Sequence, residues 1–198
     1  DMDAYLDAWR EHHGRTAVSL ITSRGCPYRC RWCSHAVFGY SHRRRSPKNV
    51  ADEVELIIDR HSPDMLWYAD DVFTFHRRDF FGLADELAER DIHIPFESIS
   101  REDRLDEEVI RTLADMGCFR LWIGSESGSQ RMIDAMDRRV DLERTQQMTR
   151  LLQVYGIEVG MFIMLGYESE EIRDIEATVG HLKAAAPADQ RMRIARFL

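Results

Sequence analysis

Long apolar runs are missing from the 198-residue sequence: none approaches the roughly 20 residues that a membrane-crossing helix needs. No signal-peptide pattern opens it either, so the expected setting is cytoplasmic. Positive charge is not in surplus, since 27 Lys and Arg face 35 Asp and Glu for a formal net charge of -8. That balance argues against an extended nucleic-acid footprint and suits a small or neutral partner. Cysteine is scarce, with four in the chain. Three of them fall between positions 26 and 33 while Cys118 stands alone, a distribution that favours metal over paired disulfides. No repeat array or disordered composition is evident, and 44% hydrophobic with 31% charged suits one globular domain with a sizeable core. A starting methionine is lacking too: the first residue is Asp1, and Asp3 to His13 reads as a short helix. Residues 1–15 are therefore expected to be a linker helix from an N-terminal domain that precedes them, and 16–198 to be the core domain.

Apolar, β-branched runs recur along the chain, each followed by a polar loop and then by a helical stripe. Ala17 to Thr22 is the first strand and stops at Ser23-Arg24-Gly25. After a loop through His35, Phe38, Gly39, Tyr40 and His42, Ser46 can cap a helix with Pro47 at its first position. Met65 to Ala69, Ile94 to Ile99, Phe119 to Ile123 and Val159 to Leu165 follow as strands. Asp106 is placed to cap the helix of Val109, Ile110, Leu113 and Met116, with Gly117 as its left-handed stop. Ile172, Ile175, Val179 and Leu182 line a last helix that ends before Pro187, and Arg191 to Leu198 begins a sixth strand. Alternating units of this kind require a parallel sheet with right-handed crossovers. The expected fold class is α/β, a partial, open TIM-type barrel of about six parallel βα units. Ligands in such folds gather at the carboxyl ends of the strands, where the cysteines, Asp70-Asp71, Arg101, Glu126 and Gly166 all fall.

The chemistry is expected at Cys26-Pro27-Tyr28-Arg29-Cys30-Arg31-Trp32-Cys33, three thiols spaced C-x3-C-x2-C with an aromatic directly before the last. Three close thiolates can hold three irons of a cubic iron-sulfide cluster and leave the fourth iron without a protein ligand. The plainer reading is structural zinc, which wants four ligands. Cys118 is expected at the end of a helix on the opposite side of the fold, and His35, two residues past Cys33, would be a strained fourth ligand. His35 and His42 otherwise read as loop histidines. Arg43-Arg44-Arg45 reads as a solvated turn, or else as a hold for an anionic substrate or neighbouring domain. Met132, Met136, Met148, Met161 and Met164 read as core filler. Asp64, Asp79 and most glutamates fit helix ends and solvated faces.

With this cysteine motif the sequence resembles the radical S-adenosylmethionine superfamily over nearly its whole length. The resemblance implies that Cys26, Cys30 and Cys33 ligate a 4Fe-4S cluster whose open iron binds S-adenosylmethionine. It also implies reductive cleavage of that cofactor to a 5'-deoxyadenosyl radical, an unidentified substrate, and a reductant such as flavodoxin or ferredoxin. Asp70 or Asp71 stands where many members carry an acid for the methionine amino group, although Ala69-Asp70-Asp71 replaces the family's Gly-Gly-Glu. By the same resemblance Glu126 takes the place of the ribose-binding residue, and Arg138 or its neighbour Arg139 that of the basic residue at the methionine carboxylate. Gly166 takes that of the loop passing the adenine, and Arg101 is either a contact to cofactor or cluster or a solvated surface arginine. Trp32-Cys33-Ser34 through Phe38-Gly39, Arg43 to Ser46-Pro47 and Gly124 to Ser129 look most like the cobalamin-associated branch, whose members carry cobalamin in a preceding domain. That branch includes methyltransferases and enzymes that remodel porphyrin-type rings. A cobalamin-independent relative, methylthiotransferase-like or coproporphyrinogen-oxidase-like, would use the same core. A non-catalytic zinc-binding interaction module is the reading from outside the superfamily.

Overall fold

The structure, a computed structural model, describes residues 1–33, 39–186 and 192–197; His35 and Phe38, expected in the loop after the cysteines, and Pro187 lie outside the described residues. The chain opens with α1 (Met2–His13), whose Leu6 is buried in the core, and passes into β1 (Ala17–Leu20). Two short strands follow, β2 (Ser23–Arg24) and β3 (Arg43–Arg44), which pair antiparallel in a ribbon of their own. The expected solvated turn at Arg43 to Arg45 is thus a paired segment. Arg44 binds Asp79, and Arg45 binds Glu53 and, through Nη1 at 3.1 Å, the Ile21 carbonyl.

Helix α2 (Pro47–His61) begins as expected, with Ser46 Oγ accepting from the Asn49 amide at 3.2 Å and Pro47 in its first turn. β4 (Met65–Tyr68), α3 (Arg77–Glu89) and β5 (Phe96–Ser100) come next. β5 is displaced toward the C-terminus from the expected Ile94 to Ile99, which leaves Pro95, a residue with no N–H to give a ladder, ahead of the strand. Asp106 caps α4 (Glu107–Asp115) through the Val109 amide at 2.9 Å. β6 (Cys118–Glu126), α5 (Gln130–Ala135), α6 (Leu142–Val154), β7 (Glu158–Met164), α7 (Ile172–Ala185) and β8 (Met192–Phe197) complete the chain. Cys118 therefore opens a strand instead of closing a helix.

Strands β1, β4, β5, β6, β7 and β8 join side by side in that order as one parallel sheet. Winding always in one direction, with helices between strands, produces the expected partial barrel. Alternation along each strand separates two faces. Leu66, Tyr68, Leu121 and Ile123, all fully buried, belong to the apolar core, while Trp67, Ile99, Gly124, Phe162 and Met164 line the concave side. Trp122 lies stacked on Phe162 with ring centroids 5.1 Å apart, in the space that Gly160 leaves by lacking a Cβ. Below that aromatic layer Arg120 is in register with Glu97 and Glu158 on the flanking strands and binds them at 2.8 and 2.7 Å. Glu97 and Glu158 are therefore engaged between strands; Asp64 is exposed just past α2, as expected, and also accepts from the Thr16 amide at 2.6 Å. Among the described residues no helix is long and apolar enough to cross a membrane.

α7 reverses the ordinary orientation of an apolar stripe. Ile172 is 76% exposed, Ile175 40% and Val179 45%, whereas Asp174, Thr178 and His181 are buried. The cause lies across the interface in the loop after β6. Ser129 Oγ donates to Asp174 at 2.6 Å, Ser127 Oγ lies 3.1 Å from Thr178 Oγ1, and Ser125 Oγ lies 3.0 Å from His181 Nε2. Buried hydroxyls that need partners outweigh three isoleucine-class side chains that can stay in water at smaller cost. Gly128 makes the approach possible, since a Cβ there would strike the Ala177 carbonyl and the Thr178 backbone.

Candidate functional site

A cavity of about 590 Å³ opens at the carboxyl ends of the strands. Cys26, Cys30 and Cys33 line it together with Asp70, Asp71, Arg101, Glu126 and Arg138, so eight of the nine expected site residues share one wall. Gly166 is not among the lining residues; it is exposed, with φ of 81°, and its amide donates to Glu170 Oε2 at 2.7 Å.

The cysteine loop is held from two sides. On the first, Asp70, 2% exposed, accepts from the Thr22 amide at 2.7 Å, the Ser23 amide at 3.2 Å and Ser23 Oγ at 2.7 Å, and from Thr22 Oγ1. The acid directly after β4 thus ties down the chain directly after β1, and only its neighbour Asp71 remains exposed at the cavity. Asp70→Asn would set a donor against those N–H and O–H groups. A loss of about 2–3 kcal/mol is expected, read as a fall in Tm of roughly 4–12 °C; an unshifted melt would show the anchor to be idle.

On the second side stands Arg101, 5% exposed and so not a solvated surface arginine. Its guanidinium lies 3.7 Å over the Tyr28 ring, Nη1 is 3.7 Å from Cys30 Sγ, and Nη2 donates to the Arg138 carbonyl at 3.0 Å. Burial opposes its charge, yet the 2.8 Å bond to Asp103 keeps its pKa above the ordinary value. The three thiols are free, and burial raises the pKa of each. For Cys33, burial followed by the charges of Cys30 and Cys26 pushes it up to about 11. Arg101 pulls the other way at Cys26 and Cys30. Among the described residues no three His, Cys, Asp or Glu side chains converge as a single-ion site.

Opposite the thiols, Glu126 at the end of β6 has φ of 60°, where the strand carries an irregularity between Gly124 and Glu126. That bend turns its carboxylate toward Arg138, and the two are 2% and 3% exposed. A Cβ on Gly124 would lie 3.1 Å from Arg138 Nη2 and run into Glu126 Oε1, so glycine is what admits both. Burial pushes Glu126 up to about 8, helped by the charge of Glu102. Two atoms of this pair, Glu126 Oε2 and Arg138 Nη1, are buried without any hydrogen-bond partner. Arg139, the other arginine considered at this position, has its side chain 78% exposed and binds Asp137 at 2.8 Å.

Sequence reasoning missed Glu102, buried behind Arg138, and the half of the wall made by Trp67, Ile99, Phe162 and Met164. Met164 is accordingly wall and not core filler. A signal existed for the wall: these side chains occupy alternate positions of the strands, opposite in phase to the fully buried ones.

The donor set fits an iron-sulfur cluster, with three unpaired thiols on one loop and a guanidinium against one sulfur. The cavity beside it fits a ligand that is largely apolar yet carries an anion for Arg138 and donors for Glu126. The family profile of the radical SAM superfamily matches residues 20–182. Anaerobic magnesium-protoporphyrin IX monomethyl ester cyclase of Rubrivivax gelatinosus is 28% identical over 158 residues, 79% of this chain and 28% of that protein. Cytidylyl-2-hydroxyethylphosphonate methyltransferase of Streptomyces wedmorensis is 30% identical over 185 residues, 87% of this chain and 34% of that one. Among solved structures, the radical S-adenosylmethionine methyltransferase TsrM of Kitasatospora setae superposes with a TM-score of 0.82 at 21% identity, over 96% of this chain and 37% of that one. The chain thus spans 28% to 37% of the length of these three proteins. With the profile covering the cysteine loop and most of the barrel, the chain belongs to the radical SAM superfamily.

Proposed function

We propose that this chain is the core of a radical S-adenosylmethionine enzyme acting on an unidentified substrate. The convergence of three thiols, Arg101 and the Glu126–Arg138 pair on one cavity carries the reading. Cys26, Cys30 and Cys33 hold a 4Fe-4S cluster, and cluster and S-adenosylmethionine together supply one-electron chemistry that the twenty side chains lack. The chain's own residues bind and shield. Asp71 takes the methionine amino group, because Asp70 already accepts from Thr22 and Ser23. Arg138 meets the methionine carboxylate and Glu126 the ribose hydroxyls, each through an atom that otherwise lacks a partner. Arg101 keeps positive charge against Cys30. Trp67, Ile99, Phe162 and Met164 keep water from the reacting atoms.

The relatives are named for a ring cyclisation and a methyl transfer, which supports reading this protein as a member of the cobalamin-associated branch, with cobalamin carried by a separate domain. OxsB, a cobalamin-dependent S-adenosylmethionine radical enzyme, shares the fold at 20% identity and a TM-score of 0.79. A cytoplasmic reductant such as flavodoxin or ferredoxin fits the charge around the cysteine loop. From His12 to Ala51 the chain has Arg15, Arg24, Arg29, Arg31, Arg43, Arg44, Arg45 and Lys48 and not one Asp or Glu, in a protein of net charge -8. Acidic partners are steered to such a segment. Anaerobic reconstitution of the full-length protein tests the reading. Uptake of about four irons per chain and reductant-dependent release of 5'-deoxyadenosine from S-adenosylmethionine are expected; stoichiometric zinc with neither would refute it in favour of a zinc-binding module.

A further inference from the structure

Glu102 has no part in the roles assigned above, yet it is 1% exposed directly behind the cavity wall. Its carboxylate accepts from Arg138 Nη2 at 3.0 Å, and Thr145 Oγ1 stands 3.4 Å from its other oxygen. Arg138 turns the same edge to the Gly124 carbonyl, through Nη2 at 2.7 Å and Nε at 3.2 Å. A guanidinium carries five N–H donors in a rigid fork, so once Nε and Nη2 are engaged only the Nη1 pair is left. Those are the donors without a partner.

Glu126 is on the cavity side of the same guanidinium. Its Oε1 comes no closer to Arg138 Nε than 3.7 Å, beyond hydrogen-bonding length, and its Oε2 has no partner. A buried guanidinium gains by donating to a carboxyl oxygen this close, in a bond assisted by the arginine's own charge. The gap persists because Arg138 already has an anion behind it.

We propose that Glu102 is a positioning residue: it is the counter-ion that holds Arg138 back from Glu126 and keeps Nη1 unpartnered for the carboxylate of a bound ligand. This role rests on the reading of the cavity as an S-adenosylmethionine site. Without Glu102, Glu126 is the carboxylate left beside Arg138 among the described residues; the 3.7 Å gap to Nε closes, and the guanidinium swings out of the position that leaves Nη1 open to a ligand.

Calorimetric binding of S-adenosylmethionine and of decarboxylated S-adenosylmethionine to the reconstituted full-length protein separates this role from plain support of the fold. In Glu102→Gln, which keeps the size and removes the charge, affinity for S-adenosylmethionine is expected to fall about tenfold or more. Affinity for the decarboxylated ligand stays within about twofold, and iron content is unchanged. Equal losses for both ligands, or no loss for either, would overturn the role. Glu102→Asp keeps the charge but withdraws it by one methylene, and its preference for the carboxylated ligand is expected to lie between parent and Gln variant. That variant decides the matter if Glu102→Gln does not fold, since a preference equal to the parent's then overturns the role. A parent that binds the two ligands equally removes Arg138 from the carboxylate, and this role with it; a parent that binds neither removes the functional reading as a whole.

Discussion

Cys30→Ala is expected to abolish iron binding, and Cys118→Ala to leave it intact. Both sulfurs are buried, at 8% and 4% exposure, so accessibility does not separate them. Their surroundings do. Cys30 lies between Cys26 and Cys33 on the cavity wall, with the Arg101 guanidinium 3.7 Å from its sulfur to favour a thiolate. Cys118 begins β6, at the other end of the sheet, and donates to the Arg120 carbonyl at 3.4 Å. Burial drives its pKa far above the ordinary thiol value, and the charge of Glu97 pushes the same way. An inert thiol of that kind is a small apolar side chain, whose loss costs stability of about 1 kcal/mol and no chemistry. After anaerobic reconstitution the Cys30 variant should lack both the iron, about four per chain in the parent, and its charge-transfer absorption. Equal iron loss in the two variants would sink the ligand assignment.

The cysteine motif and the strand ends were legible in the sequence because each rests on local rules: thiol spacing, β-branched runs, a serine before a proline. What was not legible depends on which partner a side chain finds across the fold. Nothing in Ala69-Asp70-Asp71 says which acid turns inward; the hydroxyls of Thr22 and Ser23, brought up by the parallel pairing of β1 with β4, decide that it is Asp70. The stripe Ile172, Ile175, Val179 has helical spacing, yet the serine row after β6 draws the polar face of α7 inward. Glu102 escaped notice for the same reason. One position past Arg101 it looks like a surface acid, and only the return of the chain at Arg138 gives it a cation to answer. The alternating wall of Trp67, Ile99, Phe162 and Met164 was readable in principle, since period-two patterning marks both faces of a strand and not only the buried one.

Arg138→Met is expected to remove about 3–5 kcal/mol of stability, and to do so in a pH-dependent way. The substitution leaves Glu102 and Glu126, 1% and 2% exposed, facing one another with no guanidinium between them. Burial holds Glu102 up to about 7 and Glu126 up to about 8, against the pull of the Arg101 charge. In the unfolded chain both return to about 4.3. The native state therefore keeps protons that the unfolded state releases across that interval. The contribution of this pair is greatest below the unfolded value and is lost as pH rises through the folded ones. Without the cation the folded values rise further, so the penalty of the substitution should be largest near pH 8.5 and smallest near pH 5, where both carboxyls accept protons. Urea unfolding of parent and variant at those two pH values measures the difference. A penalty that is the same at both, or larger at the acidic one, would mean that Arg138 does not hold the charge of the two buried acids.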